Sequence, residues 1–152
     1  RNIASRPTAS DLTGSENALR LRGLYQLGAA GALFGETSAR YVSTRVEYQN
    51  YQEYGVTVGY SREYDLGFGL PRRWMATAYG TYLRRWYGAP DPNVDASTPH
   101  RENEIRLGLS NLIPIIGDIA LIQQVEWMKT SAQPSFYDRD NVSVTIGAIW
   151  QF

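Results

Sequence analysis

Asn141-Val-Ser-Val-Thr-Ile-Gly-Ala-Ile-Trp-Gln-Phe152 alternates almost without interruption. Val142, Val144, Ile146, Ala148, Trp150 and Phe152 fall on one side of an extended chain. Asn141, Ser143, Thr145, Gly147 and Gln151 fall on the other, with Ile149 the one large apolar exception. Side chains of a strand alternate between its faces, so this pattern predicts a strand with one apolar face. Its length, about eleven residues, is what a tilted strand needs to cross the hydrocarbon of a bilayer.

The same period recurs upstream. Around 18–29, Leu19, Leu21, Tyr25 and Leu27 oppose Arg20, Arg22, Gln26 and Gly28. Around 54–64, Tyr54, Val56, Val58 and Tyr60 oppose Gly55, Thr57, Gly59 and Ser61. Around 102–111, Ile105, Leu107 and Leu109 oppose Glu104, Arg106, Gly108 and Ser110. From 117 to 130, Ile119, Leu121, Val125 and Trp127 oppose Ala120, Gln124 and Glu126, with Ile122 and Met128 as exceptions. Two segments are less regular. In 33–48, Val42, Thr44, Val46 and Tyr48 oppose Ser43, Arg45 and Glu47; in 72–87, Trp74, Ala76, Ala78 and Tyr82 oppose Thr77, Tyr79 and Thr81. The total is about seven strands and no helix.

Bulk composition agrees with that reading. Fifteen basic residues cancel fifteen acidic ones, which gives no net field toward nucleic acid. Eleven Tyr, four Trp and fourteen Gly accompany one His and no Cys, so a disulfide framework or thiolate metal site is excluded. A transmembrane barrel averages lipid-facing and lumen-facing residues into this kind of mixture. No run of eighteen apolar residues predicts a transmembrane helix; the most apolar stretch, 112–122, is broken by Pro114, Gly117 and Asp118. The chain opens Arg1-Asn2-Ile3, with neither Met nor an apolar leader, and reads as mature or truncated.

Connections alternate between short and long. Gly28 to Gly31 is tight, Tyr48 to Glu53 modest, Asp65 to Pro71 compact, Gly88 to Arg101 long, Asn111 to Gly117 compact and Ala132 to Asp140 longer. Short periplasmic turns and longer outer loops are the asymmetry of outer-membrane barrels. Seven strands put the two chain ends on opposite sides, so the expectation is the C-terminal half of a larger barrel. Residues 1–16 are then an extracellular loop, and 17–152 carry the strands. Aromatics near proposed strand ends fit two interfacial girdles: Tyr48, Tyr51, Tyr54, Tyr82, Trp86, Tyr87 and Trp127 outside, Trp74, Trp150 and Phe152 inside.

Candidate chemistry is sparse. His100, the lone histidine, lies beside Pro99 in the longest loop; a barrel hydrolase needs a strand-borne His aimed at a Ser, so a solvated loop histidine is expected. Arg20, Arg22, Arg45, Glu47, Glu104, Arg106 and Glu126 are expected to line the lumen, together with Glu36, Glu53 and Glu63. Facing rows of opposite charge pack an interior or line a polar channel rather than catalyse. Asp91, Asp95 and Asp138-Arg139-Asp140 are expected to be solvated in loops. The glycines of Gly67-Phe68-Gly69 and of 28–31 are turn glycines, not phosphate cradles. No cofactor or metal set is predicted, and no enzyme.

The final strand looks like the C-terminal signal of outer-membrane proteins, with Ile146, Ala148, Trp150 and Phe152 at the matching positions. That resemblance implies the barrel-assembly machinery as a partner, with outer-membrane lipid around the strands. Ser131, then Tyr137-Asp138-Arg139, then Asn141-Val142 resembles the end of surface lipoprotein assembly modifier barrels. Asp65-Leu-Gly-Phe-Gly69 before a Trp-bearing strand, and Arg101-Glu102 leading into 104–109, share that family's rhythm. Ala132 departs from it, since the family usually has Asn after the Ser. The resemblance covers most of the chain. It implies a helical-repeat periplasmic domain in front and a role in moving protein or lipoprotein cargo to the cell surface. A polysaccharide-export channel or porin is the alternative, and a small eight-stranded structural or lipid-modifying barrel the other.

Overall fold

The computed structural model describes residues 13–65, 73–94 and 97–150. They form one antiparallel meander of seven strands in which every strand pairs with its sequence neighbours, in the order β1 to β7. The strands are β1 Gly14–Leu27, β2 Gly31–Thr44, β3 Tyr51–Tyr64, β4 Trp74–Tyr87, β5 Arg101–Ile116, β6 Ile119–Gln133 and β7 Arg139–Trp150. Two single turns of 3-10 helix, Glu47–Gln49 and Ser135–Tyr137, lie in connections. No helix among the described residues is long and apolar enough to cross a membrane. β1 and β7 have no strand beyond them among the described residues, so the sheet is open.

Register joins the alternations into two continuous faces. One register row runs Gly23, Gly35, Val58, Gly80, Leu107, Trp127 and Val142; the next runs Tyr25, Leu33, Tyr60, Ala78, Leu109, Val125 and Val144. This apolar face is uncovered: Leu21, Val58, Leu107, Leu109, Val144 and Ile146 each keep more than half of their surface exposed. No apolar side chain among the described residues is buried. The side chains that are buried are polar, namely Glu53, Glu102 and Thr130 on the opposite face and His100 at its rim. The sheet is inside-out relative to an ordinary half-buried one.

Several boundaries differ from the sequence reading. β1 begins at Gly14, within the segment expected to be an outer loop; residues 1–12 lie outside the described residues. β2 ends at Thr44, and its apolar face carries Leu33, Ala39 and Tyr41, so Val42 and Thr44 lie on the polar face, not the apolar one. Tyr41-Val42 is apolar at both parities, and local alternation had no means of choosing between them. Asn111 to Ile116 is strand rather than connection: a register shift between Pro114 and Ile116 accommodates the proline that cannot donate to the ladder. The reversal after it needs only Gly117-Asp118, with Gly117 at φ 54°; Gly28 at φ 66° serves the β1–β2 turn in the same way.

Two glycines make room on the polar face. The Phe34 ring of β2 lies over Gly59 of β3, and the Tyr79 ring of β4 lies over Gly108 of β5. A β-carbon at either position would overlap the ring. Because it lies flat across β5, Tyr79 reaches β6, where its hydroxyl donates to Glu126 (2.6 Å) and accepts from Gln124 Nε2 (3.0 Å). Gly108→Ala should displace the ring and break both bonds, costing about 1–3 kcal/mol in a urea unfolding curve. Tyr79→Ala in the same chain should make the second substitution nearly free, and additive losses would contradict this packing.

Candidate functional site

The polar face carries every glutamate of the strands: Glu16, Glu36, Glu53, Glu63, Glu102, Glu104 and Glu126. Their partners are mostly arginines brought opposite by register. Arg40 grips Glu16 with two bonds of 2.8 and 2.9 Å, and Arg20 lies 3.4 Å from Glu36. Arg22 stands 5.5 Å over the Phe34 ring. Arg106 pairs with Glu104 at 2.5 Å, and Glu104 accepts from the Thr130 hydroxyl at 3.3 Å. Hydroxyl pairs Thr57–Thr81 and Ser61–Thr77, both 2.9 Å, continue the network toward the other end. Arg20, Arg22, Glu104, Arg106 and Glu126 therefore share the polar face.

Arg45 and Glu47 do not. They follow the end of β2, Arg45 in a bend and Glu47 in a 3-10 turn, and form no part of the sheet wall. The connection is organised instead by Asn50, whose side chain accepts from Thr44, while the Thr44 hydroxyl donates to the Val46 carbonyl at 2.9 Å. Of the expected assembly signal, Ile146, Ala148 and Trp150 share the apolar face of β7; Phe152 lies outside the described residues. Tyr51 and Tyr87, expected in an aromatic girdle, are on the polar face, tilted against one another at 5.5 Å.

The densest cluster is where loop 88–100 meets the ends of β3, β4 and β5. Arg85 bridges two buried carboxylates, Glu53 and Glu102, with its guanidinium also 5.1 Å from the Tyr51 ring centre. The guanidinium is the suitable cation here, since it can divide its donors between two acids while stacking on a ring. Arg84-Arg85 is a charged dyad, so sequence alone could not say which arginine faces the acids.

His100 completes the cluster, and the solvated position expected for it is wrong. It is 7% exposed, stacked between Tyr87 (4.4 Å) and Tyr137 (4.1 Å). Its Nε2 lies 3.1 Å from Glu102 without the geometry of a hydrogen bond. Asp91 accepts from the Tyr137 hydroxyl at 3.1 Å and caps its own turn through Asn93 N at 2.9 Å. Asp138 accepts from Ala132 N, and Asp140 from the Trp127 indole. Of the aspartates expected to be merely solvated in loops, Asp91 and Asp138 thus tie connections together and Asp140 belongs to β7; Asp95 lies outside the described residues. The result is a cap in which Asp91 and His100 of the β4–β5 connection are fastened to Tyr137 of the β6–β7 connection at the rim of the polar face. Its signal in the sequence is the set of aromatics in separate connections, which only register brings together.

Compared with known proteins, the chain matches no family model, no curated protein and no solved structure.

Arg85→Ala should cost about 3 kcal/mol or more in unfolding, because it leaves Glu53 and Glu102 buried and unpaired. Burial holds His100 below the ordinary histidine value, opposed by Glu102 and reinforced by Arg85 and Arg139. The unfolded chain therefore takes up a proton first as pH falls. Stability of the cap is fully present above about pH 6.5 and declines below it. Amide exchange across loop 88–100 should accelerate between pH 7.5 and 5 relative to the β3–β4 ladder. His100→Phe, which keeps a ring in the stack, should flatten that difference; an unchanged pH response would contradict it.

Proposed function

We propose that this sheet is part of the wall of a bacterial outer-membrane β-barrel that passes protein or lipoprotein cargo to the cell surface. The observation that carries the barrel reading is the inversion of the sheet: an apolar face left bare and a charged face holding the buried groups. A water-soluble sheet of this size would cover its apolar face with a second layer. In a barrel wall that face meets lipid, and the polar face meets the lumen.

Dimensions support the same reading. On the apolar face of β3 the first and last polar residues are Gln52 and Arg62. They are about 34 Å apart at ~3.4 Å per residue, or about 24 Å along the membrane normal at ~45° tilt, close to the ~25 Å apolar band of outer-membrane barrels. Tyr41, Tyr54, Tyr82 and Trp86 lie toward the loop end of this face, and Tyr60, Tyr64, Trp74 and Trp150 toward the short-turn end. Such rows belong at the two headgroup levels.

Strand direction bears on closure. β1 and β7 run the same way, being an even number of antiparallel steps apart. Joining them directly, or through copies of this sheet in one orientation, creates parallel seams. An odd number of further strands keeps the wall antiparallel throughout. This favours a wall completed by at least one further strand over a barrel closed by these seven alone. The cargo is the part of the proposal that the resemblance of 65–69, 101–109 and 131–142 supplies, and a porin-like channel is its competitor.

Leu107→Arg, near the middle of the apolar face, should reduce stability in lipid vesicles by about 2–4 kcal/mol, whereas Ser143→Arg, exposed on the polar face opposite Glu126, should cost little. Folded protein extracted from outer membranes should shift on heating in a gel. It should also run as a barrel much larger than one closed by a 17.1 kDa chain. A heat-shifting species of that mass alone would overturn the completed-wall reading. Large steady conductance with no effect on surface-exposed proteins would favour the porin reading.

A further inference from the structure

The apolar face is nearly free of charge, and the charges it has are unevenly placed. They are Arg62 toward the short-turn end, with Arg84, Arg101, Lys129 and Asp140 toward the loop end. Glutamate is absent from this face among the described strands, although the polar face carries seven. Apart from Asp140, opposite Lys129, packing supplies no acid on this face to pair with the cations.

Arg84, Arg101 and Lys129 are neighbours on β4, β5 and β6. Arg84 is opposite Asn103, Arg101 is opposite Trp86, and Lys129 is opposite Ile105. With strands about 4.8 Å apart and ~6.8 Å between same-face residues, their Cα atoms form a triangle with sides of roughly 8–14 Å. All three are exposed, and none is ion-paired to an acid of the described residues. The acid opposite Lys129, Asp140, accepts from the Trp127 indole at 2.8 Å and forms no ion pair with the lysine. Arg84 is set by the Trp86 ring, 4.7 Å from its guanidinium carbon, and Trp86 meets Tyr54 edge-on at 5.6 Å.

We infer that Arg84, Arg101 and Lys129 form a site for the phosphate-bearing headgroup of a membrane lipid in the leaflet at the loop end. The inference rests on the proposed barrel orientation, in which this face meets lipid. Cations at the edge of an apolar band extend toward the headgroups, and an anionic headgroup is attracted to them at short range. Two guanidinium forks and one ammonium bring several donors to phosphate oxygens, with Asn103 beside them on the same face. Trp86 and Tyr82 flank the site where acyl chain gives way to headgroup.

The test uses protein in phosphatidylcholine vesicles, with Trp86 as the sole tryptophan after Trp74, Trp127 and Trp150 are changed to Phe, and with Asp140, which loses the Trp127 indole, changed to Asn. Brominated phosphatidic acid diluted into the bilayer should quench Trp86 with an affinity about fivefold or more above that of brominated phosphatidylcholine. The triple variant Arg84→Gln, Arg101→Gln, Lys129→Gln should bring the two lipids to parity, and Arg62→Gln should leave the preference intact. Equal quenching by both lipids in the parent protein would overturn the site while leaving the barrel standing. No quenching by either lipid would overturn the barrel reading itself. Loss of the preference on adding inorganic phosphate would assign the cations to a soluble anion and overturn the lipid source.

Discussion

A sheet with one broad apolar face left uncovered has to bring that face against something that is not water. That constraint orders the rest of this molecule. With no apolar core among the described residues, hydrophobic burial within the sheet cannot supply the usual driving force. The ladders satisfy the backbone, and the charged face supplies interlocking polar contacts. What remains is the free energy of the bare face, which is recovered only against an apolar medium or partner. On the proposed reading that medium is lipid, in keeping with the height of the face and its aromatic margins.

The polar face then has two jobs that pull in different directions. It must pair its charges, because Glu53 and Glu102 are buried and would be costly alone; Arg85 does this for both. On the proposed function it also lines a lumen that has to stay passable. The loop-end cap concentrates the most tightly packed polar groups at the rim, around His100, Tyr87 and Tyr137, and leaves hydroxyl pairs and more exposed arginines along the strands. Flat rings over Gly59 and Gly108 hold the middle of the same face by shape rather than charge.

Most of the fold was legible because alternation is a local property. Val142 to Trp150, Ile105 to Leu109 and Tyr54 to Tyr60 declare their faces residue by residue, and register merely joins them. Where two apolar residues adjoin, as at Tyr41-Val42, parity is lost, and the alternation that continues through 43–48 hides the end of β2 at Thr44, which leaves Arg45 and Glu47 off the sheet. Pro114 looked like a break because the bulge that accommodates it depends on the β6 partner, not on β5 itself. The loop-end cluster was the least legible part. Its members come from β3, β4, β5 and two connections, and Arg85 differs from Arg84 only by one residue of parity. A lone histidine in a polar loop carries no local mark of the tyrosines that will enclose it.

The central claim is that alternate residues of one strand meet lipid and water, and the absence of cysteine makes it directly measurable. Single substitutions Val56→Cys, Thr57→Cys, Val58→Cys and Ser61→Cys along β3, in protein within native outer membranes, would be exposed to a charged, membrane-impermeant maleimide and to a lipid-soluble one. The account predicts a two-residue period: positions 57 and 61 react with the water-soluble reagent, and 56 and 58 only with the lipid-soluble one. Equal reaction of all four with the charged reagent would contradict it, because the apolar face would then be in water.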